Sequence, residues 1–156
     1  MIHRFYQLSL ITATLFLSFS PCSLGETTPK IANTLAQTAT IDRKVEAETL
    51  IKTGLQQLEN NQAEAAIKSF QQALTIYQEI KDHQGEGETL KNLGNAYFAA
   101  KNNTKALEFY QQSLTIAREI KSRDLEGKAL QNIGTIYRLQ ENYTKAVEYL
   151  EPALLI

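Results

Sequence analysis

The chain has 156 residues, 43% of them hydrophobic and 21% charged, with a formal net charge of −1. Such proportions describe an ordinary folded domain, neither a disordered chain nor one embedded in a bilayer. Basic residues are interspersed among acidic ones, which argues against nucleic acid, because a phosphate-binding surface needs uncompensated Lys and Arg on one face.

Residues 1–25 differ in composition from the rest of the chain. MIHRFYQ carries His3 and Arg4, LSLITATLFLSF is an apolar run, and SPCSLG is small and turn-prone. A basic start, a short apolar middle and a small-residue exit form the plan of a secretory signal peptide. Ser23 and Gly25 would suit cleavage before Glu26, so the expected location is periplasmic or extracellular. The apolar run covers only about 18 Å as a helix, short of the roughly 30 Å hydrocarbon core. A membrane anchor over residues 6–19 is the alternative. Cleavage would remove Cys22, the one cysteine, so stability must then come from packing without a disulfide.

Residues 26–41, rich in Thr and Ala with Pro29 near the start, read as a poorly ordered linker. From Asp42 onward the pattern is helical and repeats at a fixed interval. Glycines fall at Gly54, Gly94 and Gly134; Ala66, Ala106 and Ala146 keep the same forty-residue spacing, as do Phe70, Tyr110 and Leu150. QQALTIYQEIK at 71–81 returns as QQSLTIAREIK at 111–121. A period of this size marks a stacked repeat, here about 42–82, 83–122 and 123–156.

Each unit reads as two helices. In the second, Leu90, Leu93, Gly94 and Tyr97 share one face of a first helix. KNNT breaks the pattern, with Asn102, and Asn142 one unit later, placed to cap the next helix. Ala106, Leu107, Tyr110 and Leu114 supply the buried side of the second helix. Small residues at 94 and 106 allow two antiparallel helices to approach closely. In the quoted stretch, Leu74, Tyr77 and Ile80 are expected to pack against the neighbouring unit.

LxxLGxxY at Leu90, Leu93, Gly94 and Tyr97, followed by Ala106, Tyr110 and Ser113, resembles the tetratricopeptide repeat family. Leu130, Ile133, Gly134, Tyr137, Ala146, Leu150 and Ala153 repeat the pattern. The forty-residue unit is similar to the longer variety found in kinesin light chains and bacterial sensor proteins. Unit one departs, with Thr53 and Gln57 where Leu and Tyr are expected, and reads as a looser terminal element. The resemblance implies an all-α fold, a right-handed superhelical solenoid of three helix-turn-helix repeats preceded by a signal peptide. It also implies a protein-protein interaction module or scaffold that binds a peptide or partner protein in its concave groove. An alternative is the truncated regulatory N-terminal part of a CHAT-type protease-like sensor whose catalytic domain is absent.

Catalysis has little support. After leader removal His83 is the one histidine, placed in the turn KDHQGEG; no cysteine nucleophile, convergent metal ligands or phosphate loop accompanies it. The expectation is a non-enzyme without cofactor or metal. Residues pointing away from the Leu90–Tyr97 face form the candidate partner-binding groove: Glu88, Lys91, Asn92 and Asn95 in unit two, and Lys128, Gln131, Asn132 and Thr135 in unit three. Asn amides both donate and accept, which suits an extended peptide backbone. The resemblance implies that role for Asn92 and Asn132, one repeat apart. EPALLI closes the last helix with bare apolar residues, which suggests dimerisation or docking through that face, or a longer array.

Overall fold

The computed structural model describes residues 27–156, so the expected signal peptide and the alternative anchor over 6–19 lie outside the described residues. The described residues form six helices: α1 (Thr27–Glu59), α2 (Ala63–Glu79), α3 (His83–Ala99), α4 (Asn103–Glu119), α5 (Arg123–Leu139) and α6 (Tyr143–Leu154). None is long and apolar enough to cross a membrane.

The connections share one backbone solution. Asn61, Lys81, Lys101, Lys121 and Glu141 each adopt a left-handed conformation, with φ between 57° and 60°. The next residue's N–H then closes a six-residue ring on the preceding helix, as in Asp82 N–H to the Tyr77 carbonyl at 2.9 Å and Asn102 N–H to Tyr97 at 2.8 Å. That same residue caps the following helix: Asp82, Asn102 and Asn142 accept from the N–H groups of Gly85, Lys105 and Lys145 at 2.9, 3.1 and 3.2 Å. One residue ending one helix and starting the next keeps each connector to three residues. The price of this economy is an L-residue in left-handed space, which costs about 1–2 kcal/mol. Lys101→Gly, at an exposed site, is therefore expected to stabilise the fold by about 0.5–1 kcal/mol, after allowing for glycine's freedom in the unfolded chain. A lower urea midpoint for this variant would contradict that account.

Glycines set the spacing inside each hairpin. The Gly54 position lies against the ring of Phe70 and that of Gly94 against the ring of Tyr110; at Gly134 an added Cβ would stand 2.6 Å from Leu150 Cγ. Between hairpins, α1 touches α3 and α3 touches α5, whereas α2, α4 and α6 do not meet. The odd-numbered helices thus line the inside of the stack, and the even-numbered ones fan outward. Leu74 joins Leu93 and Ala96 across the first boundary, and Tyr77 covers Gly85 there, as expected; Ile80 instead packs with Ala47, Ile76 and Tyr77 of its own unit.

Three expectations need correction. The linker over 26–41 is helical from Thr27 onward. Pro29 falls in the first turn, where its missing N–H costs nothing, and Thr34, Thr38 and Thr40 return their hydroxyls to carbonyls four residues earlier. Residues 30–42 are all exposed, so this extension lacks the packing that sequence reading uses to recognise a helix. Unit one is also fully formed. Gln57 replaces the tyrosine at its position, and its side chain accepts a 2.8 Å bond from Ser69; the same two positions stack as Tyr97 on Phe109 and Tyr137 on Tyr149 in the later units. Finally, His83 is not a turn residue but opens α3, beside Glu86 at 3.2 Å.

Candidate functional site

Two clefts cross the inner face, one between each pair of odd-numbered helices. The first lies between α1 and α3 and is lined by Lys44, Glu48, Ile51, Tyr77, Asp82, Gln84, Gly85, Glu88, Thr89 and Asn92. Tyr77 reaches it from α2 because Gly85 leaves room for its ring. Lys44 Nζ donates to Asp82 Oδ2 at 2.7 Å across the cleft. Burial pushes the Asp82 carboxyl up, but the Gly85 N–H and the Lys44 ammonium outweigh it and hold the group below its usual range. Lys44 is raised correspondingly by its bond to Asp82. Gln84 Nε2 donates to Glu88 Oε1 at 2.6 Å.

The second cleft, between α3 and α5, is lined by Asn95, Phe98, Tyr110, Asn132, Thr135 and Ile136. Here the asparagines meet. Asn95 Oδ1 accepts from the Tyr110 hydroxyl at 2.7 Å and from Asn132 Nδ2 at 3.5 Å. Burial raises the Tyr110 phenol well above its ordinary value, which keeps it a donor. Thr135 returns its hydroxyl to the Gln131 carbonyl at 2.8 Å.

Five of the eight sequence-derived residues line the two clefts, and Lys91, Lys128 and Gln131 line neither. Glu88 and Asn92 line the first; Asn95, Asn132 and Thr135 line the second. Lys91 is half-buried, and burial first, then the Lys128 charge, lowers its pKa. Lys128 pairs with Asp124 at 2.6 Å and, with Gln131, lines a separate pocket between α5 and the last turns of α6, beside Leu150, Leu154 and Ile156. Asn92 and Asn132 are not matching rungs: Asn92 is 7% exposed in the first cleft, while Asn132 is tied to Asn95 in the second. Lys44, Glu48, Tyr77 and Asp82 escaped sequence reading. The repeat register held a signal for two of them, since Glu48 and Glu88 are one unit apart, as are Lys44 and Gln84.

The sequence profile described as tetratricopeptide repeat matches residues 46–119 and again 89–156, covering most of the chain. The chain belongs to the tetratricopeptide repeat family. The first match includes unit one, consistent with its complete packing. Tetratricopeptide repeats are in general protein-interaction modules, and no catalytic family is indicated. Among solved structures, the TPR domain of Arabidopsis FLU superposes with a TM-score of 0.68 at 23% identity, covering 72% of this chain and 95% of that one. That likeness concerns the fold alone. MamA aligns at 22% identity over 69% of this chain and 76% of its own, with a TM-score of only 0.36. No curated protein matches the sequence.

Proposed function

We propose that this tetratricopeptide repeat protein is a non-catalytic interaction module that holds an extended partner segment along the inner face of α1, α3 and α5. The observation that carries the reading is the run of polar side chains there, from Glu88 and Asn92 at one cleft to Asn95, Asn132 and Thr135 at the next. Lys91, Lys128 and Gln131 extend it. Amide and ammonium groups at this spacing hold a peptide backbone by hydrogen bonds whatever its side chains, with no bond made or broken. Similarity to the kinesin-light-chain-like variety, whose asparagines hold peptide main chain, supports the same role.

The test is capture of a random nonapeptide pool on immobilised full chain. Replacing Asn92 and Asn132 together by Ala is expected to weaken the retained peptides by about 2 kcal/mol, roughly 30-fold, if each amide contributes one hydrogen bond. Undiminished binding by a double variant of unchanged helix content would sink the groove reading. The leader supports export, which the mass of chain recovered outside the cytoplasm would test by the loss of residues 1–25.

A second reading rests on α6. Leu154 and Leu155 are 86% and 82% exposed, whereas Leu114, one repeat before Leu154, is 6% exposed under α5. We infer that this face takes a further helix, from a second copy, a partner, or the next unit of a longer array such as the regulatory part of a CHAT-type sensor. Light scattering at high concentration separates the first case, since a monomer excludes a second copy.

A further inference from the structure

The cleft between α1 and α3 is a defined cavity of about 240 Å³. It is smaller than the roughly 300–1,000 Å³ of pockets that take whole small molecules, so its scale suits one large side chain. Three carboxylates, from Glu48, Asp82 and Glu88, line it against the single ammonium of Lys44, a net charge of −2. The Tyr77 phenol registers that field. Burial raises its pKa first, the Glu48 and Asp82 charges raise it further, Lys44 opposes them and Glu88 adds to them. Lys91, beyond Glu88, is the next cation along the inner face and offsets part of the Glu88 charge.

Asn92 supplies an independent sign. The residue is 7% exposed, yet its side chain makes no hydrogen bond among the described residues. Fully enclosed polar atoms without a partner are absent among those residues, so the Asn92 amide keeps its opening toward the cavity it lines. A buried amide left open in this way is poised for a ligand's hydrogen bond. The same repeat position in unit three is closed by contrast, with Asn132 engaged by Asn95.

We propose that this cavity receives the basic side chain, arginine in preference to lysine, of the partner segment lying in the groove. The proposal rests on the groove reading above and adds the chemistry of the residue recognised. Arginine fits because its donors spread over a plane, can reach separate acceptors at Glu48, Glu88 and the Asn92 carbonyl, and can stack beside Tyr77. Among the described residues no three carboxylates, histidines or cysteines lie close enough together to hold a metal ion. Glu48 on α1 faces Glu88 and Asn92 on α3 across the cavity, and acceptors on two walls match a planar guanidinium better than a point cation. The Lys44–Asp82 pair closes the far wall, and Gln84 occupies one oxygen of Glu88, which leaves Glu48 and the second Glu88 oxygen for the ligand.

The same nonapeptide pool tests this. Peptides retained by the full chain are expected to carry Arg, and less often Lys, at one fixed position, with Arg enriched about tenfold over the input, as a desolvated charge-assisted contact would give. Glu48→Gln with Glu88→Gln is expected to abolish the enrichment. Glu108→Gln with Glu119→Gln, an equal charge change on exposed positions of α4, is expected to leave it intact. Replacing the retained peptide's arginine by citrulline should weaken it about tenfold. Retained peptides with no basic preference, or citrulline binding as well as arginine, would overturn the proposal while leaving the groove reading intact. Equal loss in the α4 control would also overturn it, as general charge attraction. Acetyl-arginine-methylamide binding as tightly as the peptide would overturn the peptide-borne source. Failure to retain any peptide would overturn the groove reading itself.

Discussion

Phe70→Ala is expected to lower the unfolding free energy by about 3–5 kcal/mol, the cost of emptying a fully enclosed aromatic site. Phe70 has no exposed surface and packs with Ala66, Leu93 and Ala96, so its ring joins the first hairpin to the second. Its partner across the first hairpin is Gly54, where any Cβ would run into the ring. Gly54→Ala alone is therefore expected to destabilise by about 1–3 kcal/mol through overpacking. In the Phe70→Ala background the sign should reverse. The ring is gone, the new methyl partly fills the space, and the helix interior gains about 0.8–1.0 kcal/mol from replacing glycine. Urea denaturation of the two single variants and the double variant reads the coupling directly. An equal penalty for Gly54→Ala in both backgrounds would show that the glycine serves the backbone, not the ring.

Both members of that pair stood out in the sequence by their forty-residue interval, but the pairing did not: Gly94 was matched with Ala106, whereas the ring of Tyr110 lies against it. A glycine on one helix opposite a bulky residue on the next recurs as Gly54 with Phe70, Gly94 with Tyr110 and Gly134 with Leu150. Coordinated replacements were harder to see. Gln57 stands where a tyrosine is expected, and only its bond from Ser69, in place of an aromatic stack, shows what it does. Ala65 completes the set, standing where Lys105 and Lys145 lie over the rings of Tyr97 and Tyr137 at 5.1 Å. Three substitutions in one unit are a single packing change, which no position reveals alone. The twenty-residue backbone period was hidden for a different reason: left-handed turns usually announce themselves as glycine, and here they are Lys81, Lys101 and Lys121.

The inner face was legible as an arc of helix but not as two clefts. Placing Glu88 and Asn92 away from the Leu90 face needs only the helical period. Enclosing Asn92 needs α1, which contributes Lys44 and Glu48, and a tyrosine from α2 reaching over Gly85. Three helices meet there, and the period of any one of them is silent about the meeting. The free half of α1 was missed because its Thr-rich composition imitates a linker.

Leu125→Ala is expected to cost about 2–5 kcal/mol and to separate the third hairpin from the first two. Leu125 is 1% exposed, and its Cδ2 lies 2.7 Å from where a Cβ on Gly87 would stand, with Ile116 beside it. It fills the boundary between α3–α4 and α5–α6 in a way that mirrors the previous boundary. There Tyr77 on the earlier helix projects over Gly85 on the later one. One repeat on, the same two positions hold Ala117 and Leu125, both buried, so the large side chain has moved to the opposite partner. The change from Tyr77 to Ala117 is thus one half of an exchange whose other half is Gly85 to Leu125. In a stack whose stability is a sum over neighbours, emptying one boundary loosens what lies beyond it more than what lies before. Hydrogen exchange should show amides of α5 and α6 opening at lower free energy in Leu125→Ala, with α1 and α2 little changed. Ala117→Tyr with Leu125→Gly, which installs the first boundary's pair at the second, is expected to recover part of the loss. A uniform loss of protection over all six helices would instead make the three hairpins one cooperative unit, and the two boundaries would then not be independent joints.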